Sequence, residues 1–421
     1  MSDHGRLRVA KLRTICERSL GFGQANVDAE SPLVDGAARA AGAHVAVLVG
    51  RPTRRSLGPA LMWAAKETAS SDHGGAGLSR LDLVLDPSLP VGSSAQAERD
   101  HADSSDYAAL PAGAAENADH TVFGLPPDDH RVVGGHLARI GRLFVPDVRV
   151  WLVDGAEVVE VDAVAPPAMV PSPWDQAPDL VELLSDAGLE LAGEPGTILG
   201  EVAGLEVARI TMVDGRAHLD IGVGRFDQEL SAVAQSDLPR RQALQRAADL
   251  VRLTRTPDNG AHPMTRLARE RWLRAELIAR PGLVGASALN AEPGLWLRDG
   301  LRSVAPAAAS GTDQQGSPLV VVCSAGVDTD LVPAALELAE AIDPDARLVL
   351  ALPGADVLVG TERVAALARR PPRIVGLTPP VGVVHNAPVV SGGVAAQHRT
   401  SRDHGAGVRR RWAAPGGPGD L

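Results

Sequence analysis

The chain has 421 residues, 45% of them hydrophobic and 22% charged, with a formal charge of −11. That length exceeds one core and sets an expectation of two or three domains, while the negative balance disfavours indiscriminate nucleic-acid binding through the overall field. Cys16 and Cys323 are the only cysteines, too few for a disulfide framework or a zinc cluster, and no stretch approaches the roughly 18 apolar residues that span a bilayer.

Aromatic residues make up only 3%, so a core of Leu, Val, Ala and Ile is expected, and Lys11 and Lys66 are the only lysines beside many arginines. With abundant Ala, Gly and Pro, this is the composition of a high-GC bacterial genome, so the arginines alone are no sign of phosphate recognition. The N-terminal "MSDHGRLRVAKLRTICERS" lacks the apolar run of a signal peptide, which sets a cytoplasmic expectation.

Residues 1–40 are polar and irregular and are expected to be disordered. A small α/β domain is expected over 41–163, from the strand "AHVAVLVG" (43–50), the helix "SLGPALMWAAKE" (56–67), the strand "LDLVLD" (81–86), the helix "GGHLARIGRLF" (134–144) and a hairpin in "VRVWLVDGAEVVEV" (148–161). Its Ser-, Ala-, Asp- and Gly-rich stretch near 87–130 reads as an exposed insertion. The proline-rich 164–178 reads as a linker. A middle unit follows over 179–282 and closes with an arginine-rich helix at 262–282, and 283–317 reads as loop. From 318 to 389 the order strand, loop, helix, strand is that of a Rossmann-like βαβ unit, and 390–421 is expected to be a disordered tail. The fold class expected from this grammar is α/β throughout.

Chemistry concentrates in "GLEVARITMVDGRAHLDIGVG" (204–224), where Asp214-Gly215 marks a two-residue hairpin turn. Simple alternation lets Glu206 and Asp220 share a face where the register allows it, and turns Arg209 away from Glu206. Neighbouring carboxylates suit Mg²⁺ or Mn²⁺, hard cations that prefer oxygen ligands. From the helix "PDLVELLSDAGLEL" through "GTILGEV" and this hairpin to "LPRRQALQRAADLVRL", residues 179–254 resemble the core of the restriction-endonuclease-like, or PD-(D/E)XK, nucleases. The resemblance implies metal ligation by Glu206 and Asp220 and hydrolysis of phosphodiester bonds. It also implies an acid-x-lysine signature, but here Asp220-Ile221-Gly222 puts glycine in the lysine position.

Two further candidates remain. The loop "CSAGVDTD" (323–330) follows a strand and opens a helix, a location where α/β sheets bind ligands. Asp328 and Asp330 are its candidate ligand-binding residues, with Asp330 alternatively an N-cap. On the 262–282 helix, Arg266, Arg269 and Arg274 are candidates for a nucleic-acid contact, against a solvated or interdomain face. Two functions therefore stand side by side: a divergent or inactive metal-dependent nuclease-like protein, and a non-catalytic scaffold that binds a ligand or partner.

Overall fold

The computed structural model describes residues 3–22, 27–31, 36–70, 77–89, 129–166, 171–223, 238–256, 259, 262–295 and 305–378. The expected tail and nearly all of the expected insertion lie outside the described residues. The architecture is mixed α/β, with three sheets that each have their own strand order.

The first lobe begins earlier than the sequence suggested. Residues 1–40, expected to be disordered, supply α1 (Asp3–Arg18), β1 (Val27–Ser31) and most of β2 (Gly36–Ala41). The reason lies in spacing: Val9, Leu12, Ile15 and Cys16 fall on one helical stripe and are buried against the sheet. The lobe continues with β3 (His44–Val49), α2 (Leu57–Ser70), β4 (Arg80–Leu85), α3 (His130–Gly141), β5 (Asp147–Asp154) and β6 (Glu157–Glu160). Strands pair in chain order β1 to β6, with β3, β4 and β5 parallel and the outer pairings antiparallel. Strand β3 is buried on both faces, which explains its unbroken apolar run. Val45, Val47 and Val49 enter the core shared with α2 and α3, and Ala46 and Leu48 enter the core under α1.

The middle unit is an antiparallel meander between two helices: α4 (Pro178–Asp186), β7 (Glu190–Glu194), β8 (Thr197–Val202), β9 (Leu205–Val213), β10 (Arg216–Ile221) and α5 (Arg240–Thr254). The Ala203-Gly204 and Asp214-Gly215 turns place both residues at positive φ, between 49° and 73°, the backbone of a tight two-residue hairpin. Leu184, Ile198, Val207, Ile210, Leu244 and Val251 form the core between sheet and helices.

The second lobe repeats the plan of the first. It runs α6 (Arg269–Ala279), β11 (Ala286–Glu292), β12 (Ala307–Asp313), β13 (Pro318–Cys323), α7 (Leu331–Ile342), β14 (Arg347–Pro353), α8 (Val359–Ala366) and β15 (Arg373–Leu377). As in β1–β5 of the first lobe, the first three strands are antiparallel neighbours and the last three are parallel, with no counterpart to β6 among the described residues. Two expectations change here. The stretch 283–317, read as loop, carries all of β11 and β12, and the "AAASGTD" of β12 has weak intrinsic strand preference and is held by pairing on both sides. The single helix expected over 262–282 is broken: Ala268 adopts φ 41°, separating a short 3₁₀ turn (Pro263–Arg266) from α6.

Helices α2 and α3 of the first lobe meet α7 and α8 of the second in one core, with Leu57, Leu61, Leu137 and Ile140 beside Leu331, Leu338 and Val364. Just beyond α3 and α8 the chains bond reciprocally. Val145 N–H donates to the Leu367 carbonyl and Arg369 N–H to the Leu143 carbonyl, each at 2.8 Å, around the Phe144–Ala368 bridge. Such exchange of both bonds is the ordinary pattern of an antiparallel bridge, here formed between the two lobes.

Candidate functional site

The acidic hairpin departs from simple alternation at one residue. Gly200 pairs with Ala208, but Glu201 pairs with Glu206, so Val207 is extra and β9 bulges there. Leu205 and Val207 point into the core before the bulge, and Ala208 and Ile210 after it. Glu206 and Arg209 are thereby brought to the same face, which corrects the expectation that Arg209 turns away. The Arg209 guanidinium grips Glu206 in a two-pronged pair, Nε to Oε1 and Nη2 to Oε2, both at 2.8 Å. Asp220 stands directly across the ladder from Arg209.

This face therefore reads acid, arginine, acid. Burial works against the Arg209 charge, but the bonded Glu206 and the field of Asp220 outweigh it and hold the guanidinium above its ordinary value. Glu206 is 3% exposed, so the pair sits where a broken partner is costly. The position of the missing lysine has its own backbone explanation. Gly222 has φ 145°, a region in which a side chain is strained, and its N–H continues the ladder to the Val207 carbonyl at 2.9 Å. Among the described residues, no group of three or more His, Cys, Asp or Glu side chains is arranged to hold a metal ion.

The arginine-rich helix is a keystone between sheets. Arg271 pairs with Glu194 and, at 3.2 Å, with Glu201, while Arg274 Nη2 donates to Glu201 Oε2 at 2.8 Å. All four side chains are largely buried. Of the three arginines considered for nucleic acid, Arg274 is in this seam, Arg269 donates to the Ala325 carbonyl at 3.3 Å, and Arg266 is exposed. They form no common basic face, because the apolar side of α6 and its inner arginines are both needed for docking.

Two residues without any motif hold this joint. Gly204, at φ 71°, lets the β8–β9 turn touch the α6 backbone, and a β-carbon there would overlap the Arg271 carbonyl and reach 2.5 Å from the Trp272 nitrogen. Arg255, 4% exposed, donates from Nε to Ala203, from Nη1 to Met264 and Leu267, and from Nη2 to Ala268, all carbonyl oxygens at 2.8 to 3.1 Å. Its guanidinium lies 4.6 Å from the Trp272 ring centroid. Burial lowers its pKa to about 10, which leaves it charged at neutral pH. Its sequence signal is faint: one arginine among many, at the end of α5.

Beside this seam a cleft lined by Glu194, Glu201, Arg271, Arg274 and Glu292 has a volume of ≈ 30 Å³. That is room for water, far below the roughly 300 Å³ at which small-molecule pockets begin.

The Asp328–Asp330 loop lies at the joint between lobes. Asp330 precedes α7 but makes no side-chain cap to it, and its Oδ1 accepts instead from the Gly58 N–H at the start of α2, 2.9 Å away. The N-cap expectation thus finds the right chemistry on the wrong helix. Nearby, His136 of α3 is held neutral: burial first, then Arg139 and Arg54, push its pKa down to about 3. Its Nδ1 lies 3.3 Å from Arg139 Nη2, and Arg139 pairs in turn with Glu337 of α7. Both thiols are buried in separate cores and pushed by burial up to about 12, which leaves them inert as nucleophiles.

No protein-family model, curated protein or solved structure matches the chain. No helix among the described residues is long and apolar enough to cross a membrane.

Proposed function

We propose that the chain is a non-catalytic scaffold that recognises a partner, built on two repeated α/β lobes with a nuclease-like middle unit that does not cut. The observation carrying this reading is Arg209, a fixed cation bonded to Glu206 and paired across the ladder with Asp220. An arginine there neutralises the acids that a metal would otherwise join, and it remains protonated, so it cannot replace the lysine as a base. The narrow cleft beside Arg271 and Arg274 favours contact with a partner's surface over enclosure of a small ligand. Two unpaired buried thiols suit a reducing, cytoplasmic compartment.

The alternative is a divergent Mg²⁺- or Mn²⁺-dependent phosphodiester hydrolase acting through Glu206 and Asp220. Its support is the helix–meander–helix order of the middle unit, which parallels the resemblance seen in the sequence. The two separate in one experiment. Purified protein is incubated with single- and double-stranded DNA and RNA in millimolar Mg²⁺ or Mn²⁺, and its melting temperature is followed over the same titration. The scaffold reading expects no cleavage and no metal-dependent rise in melting temperature. Cleavage that disappears in both Glu206→Ala and Asp220→Ala would overturn it.

A further inference from the structure

The N-termini of α2 and α7 meet across the lobes with almost no space between them. A β-carbon on Gly58 would overlap the Thr329 carbonyl and lie 2.7 Å from Asp330 Oδ1. Through this contact Asp330 caps the opposite lobe's helix. Asp328 sits beside it, its Oδ1 accepting from the Asp330 N–H at 2.9 Å and from Arg55 Nη2 at 2.6 Å.

Charge at this joint is unevenly shared. Asp330 is 4% and Asp328 8% exposed, and Arg55, the guanidinium bonded here, is committed to Asp328. The other charged group acting on Asp330 is Glu337 of α7, with Arg139 and His136 of α3 on its far side. The second oxygen of Asp328, Oδ2, is buried and has no hydrogen-bond partner. Two buried carboxyls this close disfavour a second negative charge, so a neutral acid at Asp330 removes the like-charge repulsion.

We propose that Asp330 is an acid-tightened latch between the two lobes: neutral, it clamps α2 to α7, and ionised, it loosens that joint. Burial, with Asp328 and Glu337 adding to it and the Gly58 N–H and Arg55 opposing, pushes the Asp330 carboxyl up to about 8. The folded value therefore lies above the unfolded value of about 4. Between those limits the folded chain holds a proton that the unfolded chain has lost. The latch's contribution is complete below about pH 4, declines as pH rises, and is gone above about pH 8.

The test compares melting of the full chain with that of Asp330→Asn from pH 4.5 to 9. Asparagine keeps an oxygen for the Gly58 N–H but cannot ionise. The melting temperature of the variant minus that of the native chain should climb with pH and level off above about pH 8. The ratio of their unfolding constants should change by up to about tenfold per pH unit along the climb. A difference that stays constant across the range overturns the proposal. If Asp330→Asn does not fold, Asp328→Asn replaces it. Removing that neighbouring charge should flatten the native chain's own decline between pH 5 and 8, and an unchanged decline also overturns the proposal.

Discussion

Replacing Arg255 probes the joint between the middle unit and the second lobe most directly. Its guanidinium serves four carbonyl oxygens, that of Ala203 in the β8–β9 turn and those of Met264, Leu267 and Ala268 just before α6. Arg255→Ala strands all four. A buried polar group left without a partner costs about 1–3 kcal/mol, and water entering the space left by the side chain recovers part of that. The expected loss is about 3–5 kcal/mol, including the lost stacking on Trp272. Against a total stability of about 5–15 kcal/mol this is a large fraction. Arg255→Lys keeps the charge, but its ammonium has three donors and no planar fork. It should fall between the native chain and the alanine variant. Urea unfolding followed by tryptophan fluorescence measures both, with Trp272 as a reporter lying against the substituted side chain. A loss under about 1 kcal/mol for Arg255→Ala would refute the reasoning, since it would mean those carbonyls find other donors at little cost.

Gly204→Ala and Gly215→Ala have nearly the same positive φ, 71° and 73°, but only the first faces another backbone. The second should cost about 1 kcal/mol in urea unfolding, from conformation alone, and the first at least twice that, so equal costs would remove the close-approach argument. In the hairpin, Arg209→Ala leaves a buried Glu206 without its bidentate partner and should cost about 3–5 kcal/mol. The double replacement Glu206→Gln with Arg209→Met should recover more than half of that loss. If the double variant is as unstable as the single one, the pair's charge is not what matters at that site.

The sequence was readable wherever one physical rule acted alone. Asp214-Gly215 marks its turn because both residues enter positive φ, and "HVAVLV" marks a strand covered on both faces. Glu206 and Asp220 were identifiable as the acidic residues of the two strands, but the Arg209 placed between them was not. Alternation predicts faces only while the register holds, and the unpaired Val207 reverses it for every later residue of β9. No residue in "GLEVARI" announces that bulge. Helix α1 was lost for a different reason: its polar residues outnumber its apolar ones, although the spacing of Val9, Leu12, Ile15 and Cys16 carried the signal. Arg255 reaches Ala203 and Gly58 meets Asp330 only through the fold, so no local pattern marks them.

The repeat of the lobes was also present in the sequence, in a form too short to stand out. Helix α2 opens as Ser56-Leu57-Gly58-Pro59-Ala60 and α7 as Asp330-Leu331-Val332-Pro333-Ala334. Aligned on the shared Leu and Pro-Ala, Ser56 corresponds to Asp330 and Arg54 to Asp328. Two lobes with like charge at these positions would repel where they meet. Instead the first lobe brings Arg54, Arg55 and Arg139 to the joint, and the second brings Asp328 and Glu337. Asp330 also reaches across and caps α2 through the Gly58 N–H. The repeat supplies the shape of the joint, and departures from the repeat supply its charge. Equalising them should therefore open it: Asp328→Arg, which restores like charge at the positions of Arg54 and Asp328, should weaken the lobe contact far more than Asp328→Asn.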